Sequence, residues 1–168
     1  SLLLNSAIIS LSYLRIILNK VIIMTRKQII NKFKKAIRNE QLKVTPQRVA
    51  VLDDLMDHPG HRECDEIFDD LRANDMKVSR ATIYRTLDLL VKYGFAKKLN
   101  TGEGRSRFEN RIDTHHHDHI ICNKCGTITE FCNDEIEKIQ IDICNDMDAQ
   151  IVGHEHQLFV ICADCRNN

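Results

Sequence analysis

Two cysteine pairs constrain this chain more than any other feature. Cys122 and Cys125 are separated by two residues, as are Cys162 and Cys165, and 36 residues lie between the pairs. A two-residue gap lets both sulfurs of a knuckle point at one ion. Two such knuckles supply the tetrahedral four-thiolate set that Zn²⁺ accepts. The spacing exceeds that of an ordinary zinc ribbon, so a small folded domain has to bring the knuckles together. Four protein ligands leave no open coordination position, which makes the expected role structural. Seven cysteines with no evident secretory signal point to metal binding or thiol chemistry in a reducing compartment rather than to a disulfide scaffold.

The formal net charge of the 168 residues is zero, but it is unevenly distributed. Residues 24–107 hold 18 Lys and Arg against 12 Asp and Glu, a net of +6, whereas residues 108–168 hold 4 against 12, a net of −8. A basic half joined to an acidic half suits one part that meets a polyanion and one that meets cations. Six of the eight histidines lie in the acidic half, from His115 to His156.

Hydrophobic spacing organises the basic half into helices. Ile29, Ile30, Phe33 and Ile37 share a face over 26–39. Thr45-Pro46 reads as a helix start, followed by the stripe Val49, Leu52, Leu55 and Met56, with Pro59-Gly60 as its stop. Residues 63–73 predict a further helix with Ile67, Phe68 and Leu71 inward. Ser79 caps a helix that Gly94 ends, with Ile83, Leu87, Leu90 and Val91 inward and Ala81, Tyr84, Arg85 and Asp88 outward. Phe95–Leu99 and Arg105–Glu109 flank Asn-Thr-Gly-Glu-Gly, a hairpin signal. Three helices and a hairpin make a winged helix-turn-helix. An aromatic and a guanidinium on the outer face of the capped helix suit bases and phosphates in a major groove.

A composition shift at 110–114 marks a hinge. Beyond it the pattern predicts a strand (115–122), a strand (127–131), a helix (133–148) and a strand (150–161). The helix carries a narrow stripe of Ile136, Ile139, Ile143 and Met147, suited to burial against a second subunit. About 55 residues make a marginal core alone, which a metal and a dimer interface would reinforce. Cys132 and Cys144, on or beside this helix, are expected as small core residues.

The run His115-His116-His117-Asp118-His119 leads directly into Ile120-Ile121-Cys122. On a strand, side chains alternate. His117 and His119 therefore share one face and His116 and Asp118 the other, so one segment can feed two sites. Imidazole with carboxylate suits Fe²⁺, Mn²⁺, Zn²⁺ and Co²⁺. Glu109, Glu130, Glu137 and His154 are nearby candidates for the carboxylates and the remaining imidazole.

The strings LKVTPQR (42–48), SRATIYRTLDLL (79–90), HHHDHIICNKCG (115–126) and Cys162-x-x-Cys165 resemble, in that order, the ferric uptake regulator family. The resemblance runs from Met24 to Arg166. It implies an α+β protein: an N-terminal winged helix-turn-helix over 24–109, a hinge at 110–114 and a C-terminal α/β dimerisation and metal-binding domain over 115–168. It implies a cytoplasmic homodimeric repressor of metal homeostasis genes, with iron as the expected metal, that binds double-stranded operator DNA when a divalent ion is bound. A tetramer stays open, and neither a membrane nor a small organic substrate is expected.

Matched residue by residue, Cys122, Cys125, Cys162 and Cys165 correspond to the family's structural zinc site. His61, Glu109, His117, His119 and Glu130 correspond to a regulatory site for Fe²⁺ or Mn²⁺, with Zn²⁺ able to enter in vitro. His116, Asp118, Glu137 and His154 correspond to an additional metal site. Lys43, Tyr84 and Arg85 match positions that contact DNA, and Arg48 and Arg80 complete the basic candidate set. Between Glu109 and the histidine run the chain is one residue longer than the iron-regulator pattern.

Two relatives within the family compete with an iron regulator. Peroxide sensors typically carry Asp where Glu130 stands, which favours iron. Zinc-uptake regulators usually place a cysteine ahead of the histidine run, and none lies between Asn100 and Thr114; Cys64, three residues past His61, is a complication. An enzyme is set aside, because no nucleophile–base arrangement stands out and the thiols are better used by zinc. A bare zinc-ribbon module would leave the basic winged helix unexplained.

The first 23 residues are apolar, but Arg15 interrupts them before the roughly 20 residues that a spanning helix needs. They lack a basic start and a small-residue cleavage site. Met24 is the expected true start, with 1–23 as upstream translation or a disordered extension. Intact-mass measurement of the native protein should give an N-terminus at Met24; one well before it would contradict this expectation.

Overall fold

The computed structural model describes residues 24–101, 106–112 and 116–167. The expectations for 1–23, for the Gly-Glu-Gly part of the hairpin turn, for part of the hinge and for His115 lie outside the described residues. By compactness the chain divides between Thr45 and Pro46.

The first unit contains α1 (Arg26–Asn39). Thr25 caps it reciprocally: its hydroxyl accepts from the Gln28 N–H, while the Gln28 side chain accepts from the Thr25 N–H. Ile29, Phe33, Ala36 and Ile37 are buried, the expected face with Ala36 in place of Ile30.

The second unit starts with α2 (Pro46–Asp57), followed by β1 (His61–Glu63), α3 (Cys64–Ala73), α4 (Arg80–Lys92), β2 (Ala96–Asn100) and β3 (Ser106–Asn110). The strands form an antiparallel sheet in the order β1-β3-β2. Its core is Val51, Leu52, Leu55, Ile67, Leu71, Ile83, Leu87, Leu90, Leu99 and Phe108. Expected α2 positions Val49 and Met56 are only half-buried, because Val51 and the carboxylate of Asp54 turn inward instead. Strand β1 is a feature that hydrophobic pattern does not predict. Three residues are too few for periodicity, and what makes them a strand is pairing with β3, His61 opposite Glu109 and Glu63 opposite Arg107.

Ser79 accepts from the Thr82 N–H and caps α4. At the other end Gly94 takes φ 72°, Phe95 N–H reaches Leu90 C=O and Gly94 N–H reaches Val91 C=O. This double closure satisfies carbonyls that the helix end would leave open. The same closure ends α1 at Gln41, α3 at Asp75 and α5 (Asp134–Asp146) at Asp148, all with positive φ.

The remainder is β4 (Asp118–Cys122), β5 (Ile128–Phe131), α5, β6 (Gln157–Val160) and α6 (Ala163–Asn167). β4 is central, antiparallel to β5 and parallel to β6. The strand expected over 150–161 shortens to four residues, and the short α6 was not expected. No residue of α5 is buried: Ile139 is 56% exposed, Ile143 54% and the following Met147 74%. Cys132 is exposed and Cys144 half-buried, so neither is the core residue that the sequence suggests; among the described residues none buries α5. Among the described residues no helix is long and apolar enough to cross a membrane.

Replacing Ser79 by Ala should lower stability by about 1 kcal/mol in urea unfolding, while Ser79→Asp preserves it. An unchanged midpoint for the alanine variant would show that the cap contributes nothing.

Candidate metal centres

Three groups of donor atoms match the predicted sets, and in each the atoms lie within 4.8 Å of one another. The first is Cys122, Cys125, Cys162 and Cys165. Cys122 ends β4, and a turn closed by Gly126 N–H to Cys122 C=O brings Cys125 back beside it. The second knuckle follows β6, which pairs in parallel with β4, so the sheet itself spans the 36-residue gap. Cys125 Sγ lies 3.7 Å from Cys162 Sγ. Sulfurs about 2.3 Å from one tetrahedral zinc would stand about 3.8 Å apart, whereas a disulfide needs about 2 Å.

The thiols are electrostatically uneven. Backbone N–H groups, Cys162 first and then Cys125, donate to Cys122 Sγ and lower it to about 6. Hydrogen bonding with Cys125 and Cys162, together with desolvation, pushes Cys165 up to about 12. Four thiolates crowd one another too closely to ionise together, and a dication removes that conflict. The donor set therefore fits zinc.

The second group is His61, Glu109, His117, His119 and Glu130. His61 lies on β1 and Glu109 opposite it on β3. His119 lies on β4 opposite Glu130 of β5, and His117 just precedes β4. Glu109 Oε2 lies 2.9 Å from His61 Nε2, 3.3 Å from His117 Nε2 and 2.9 Å from His119 Nε2. Glu130 Oε1 is 3.6 Å from His61 and 3.8 Å from His117. Ligands about 2.1 Å from a single ion stand about 3.0–3.4 Å apart. His61 Nε2 is buried and lacks a hydrogen bond despite its proximity to Glu109, as expected for a lone pair aimed at a common centre. Burial pushes the Glu109 carboxyl up, but the hydrogen bond and charge of His119, with a further hydrogen bond from His117, hold it well below the usual carboxylate range. It is thus an anion in a buried pocket of imidazoles, which suits a divalent ion.

The third group is His116, Asp118, Glu137 and His154. His116 Nε2 lies 3.1 Å from Glu137 Oε1 and 3.0 Å from His154 Nε2. Asp118 Oδ1 is 3.7 Å from both imidazoles, and its other oxygen is buried without a hydrogen bond. The alternation expected of the histidine run thus separates the two sites, although the regular strand begins only at Asp118. His156, whose Nδ1 is 3.8 Å from Asp118 Oδ2, is a neighbour the sequence reading missed; its signal was the His154-x-His156 alternation.

The DNA-facing candidates divide. Tyr84 is 49% exposed and Arg85 is exposed on α4. Lys43 is exposed in the first unit, and Arg48 is half-buried on α2. Arg80 turns back onto α3: its guanidinium pairs with Asp65 and stacks over Phe68 at 4.0 Å from the ring centre. Cys64 is buried beneath α4, and burial pushes its thiol up, which leaves it a packing residue.

Asp54, His58 and Asp70 form a further group of donors that sequence reasoning did not single out. A guanidinium already serves it: Arg62 binds Asp54 through Nε at 3.2 Å and pairs with Asp70.

A family model described as the ferric uptake regulator family matches residues 39–165. A ferric uptake regulation protein of Campylobacter jejuni is 34% identical over 141 residues, covering 83% of this chain and 89% of the relative. The peroxide-responsive repressor PerR of Staphylococcus saprophyticus is 32% identical over 132 residues, covering 79% and 88%. The structure of the ferric uptake regulator of Helicobacter pylori, reported with three functional metal-binding sites, superposes with a TM-score of 0.73 at 33% identity, covering 86% of this chain and 95% of that one. The winged-helix and α/β architecture is shared with it, and the chain belongs to the ferric uptake regulator family.

Proposed function

We propose that this chain is a cytoplasmic, homodimeric, metal-responsive repressor that binds operator DNA when its regulatory site holds Fe²⁺ or Mn²⁺. The observation that carries this reading is the shared use of one site by two sheets. His61 and Glu109 come from the winged-helix sheet, and His117, His119 and Glu130 from the sheet that carries the cysteines. An ion gripping both fixes the angle at which a dimer presents its two α4 helices to successive major-groove faces. The boundaries we assign are 24–109 for DNA binding, 110–114 for the hinge and 115–168 for dimerisation.

Within this reading Cys122, Cys125, Cys162 and Cys165 hold structural zinc, and His116, Asp118, Glu137 and His154 hold an additional ion. The three groups parallel the three functional sites reported for the Helicobacter pylori relative. Lys43, Arg48, Tyr84 and Arg85 meet DNA. The uncovered stripe of Ile139, Ile143 and Met147, with Phe159 and Ile161 also exposed, supports a second copy as its cover. The iron and peroxide relatives are about equally similar to the chain. The family pattern at Glu130 favours iron; abrupt loss of DNA binding when the iron-loaded chain meets peroxide would favour the other reading.

A duplex selected from a random-sequence library by the Mn²⁺-loaded chain provides the assay. Anaerobic Fe²⁺ or Mn²⁺ should tighten binding and a chelator should release it. His61→Ala should abolish the metal dependence with zinc content and dimer intact; unchanged metal-dependent affinity in that variant refutes the proposal. For the thiolate site, a strong chelator under reducing conditions should remove one zinc per chain, make four thiols reactive and unfold β4–β6. Retention of the fold with all four thiols reacted would contradict a structural zinc.

A further inference from the structure

We infer that Arg62 is a positioning residue that couples the regulatory metal centre to the DNA-reading helices, an inference resting on the function proposed above. Successive side chains of a strand leave on opposite faces. In β1, His61 points into the metal centre, and Arg62 points the other way, onto two helices. Its Nε and one terminal nitrogen bind the two oxygens of Asp54 on α2, at 3.2 and 3.3 Å. The same terminal nitrogen pairs with Asp70, in the last turn of α3. The Arg62 side chain is 14% exposed and that of Asp54 only 4%. This forked contact is set by the planar geometry of the guanidinium, which a lysine could not reproduce.

The contact continues to the DNA-facing element. Asp70 shares α3, a ten-residue helix, with Asp65 and Phe68. Those two residues receive Arg80, the first residue of α4. A continuous series of polar contacts and one rigid helix thus runs from a metal ligand to the start of the helix that carries Tyr84 and Arg85. The third residue of β1 braces the strand: Glu63 accepts from Arg107 of β3 at 2.8 and 3.0 Å, and its backbone N–H donates to Glu66 at the start of α3. A three-residue strand held at every side chain has little freedom to absorb a shift of His61 internally. A shift imposed by the ion therefore passes to α3.

The donor group Asp54, His58 and Asp70 could instead be a metal site of its own, but Arg62 already occupies its carboxylates. Arg62 could also be a passive clamp. Linkage separates coupling from clamping: coupling appears as a ratio of DNA affinities with and without metal, whereas loss of a clamp weakens both affinities and leaves their ratio alone.

The test uses full-length chain and the selected duplex, with Mn²⁺ as the probe ion. DNA affinity is measured with and without Mn²⁺, and Mn²⁺ affinity is measured separately without DNA. The native ratio should be at least about fivefold. In Arg62→Met the ratio should fall close to one, with Mn²⁺ affinity in the absence of DNA within about twofold of native. Asp70→Asn, at a half-exposed position that leaves the Arg62–Asp54 pair in place, should lower the ratio in the same direction and guards against misfolding of the first variant. Arg62→Lys should not restore the native ratio. A native ratio in both Arg62→Met and Asp70→Asn overturns the inference. A ratio of one in the native chain overturns instead the regulatory reading on which it rests.

Discussion

Three imidazole nitrogens surround one buried carboxylate oxygen, Glu109 Oε2, and much of the second unit is arranged to keep them there. Burying a carboxylate is unfavourable unless cationic or hydrogen-bonding partners compensate it. Here the partners come from two stretches of chain far apart in sequence: β1, and the segment that leads into and begins β4. With a dication, all the lone pairs have one acceptor.

The thiolate centre acts on a different link of the same chain of causes. Its ligands are complete, so it has no position left with which to sense anything. A zinc ion held there would tie the end of β4, the strand that carries Asp118 and His119, to the segment after β6. Soft sulfur ligands in one place and imidazole with carboxylate in another suit different metals.

Much of this was legible in the sequence because it depends on local chemistry. The knuckle spacing specifies four converging sulfurs, and alternation through His116–His119 separates two donor sets. Ser79 and Gly94 bounded α4. The illegible parts depend on partners distant in the chain. β1 exists through pairing with β3, and Arg62 acquires its meaning from Asp54 and Asp70, eight residues to either side. Gln41, Asp75 and Asp148 close helices in a conformation for which glycine is the usual sequence signal. Arg80 reads as a DNA-contact candidate by charge and helix position; its ion pair with Asp65 and its stacking on Phe68 have no signal in spacing. The stripe on α5 was visible as a pattern, but among the described residues nothing buries it.

On the function proposed above, zinc and the regulatory metal occupy chemically separate sites, the second bridging two sheets through His61. X-ray absorption on one sample of the protein loaded with zinc and Mn²⁺ reads both at once. The zinc edge should show only sulfur neighbours, about 2.3 Å away, and the manganese edge only nitrogen and oxygen, with imidazole scattering that weakens in His61→Ala. Sulfur around manganese, or a manganese spectrum unaffected by loss of His61, would contradict it.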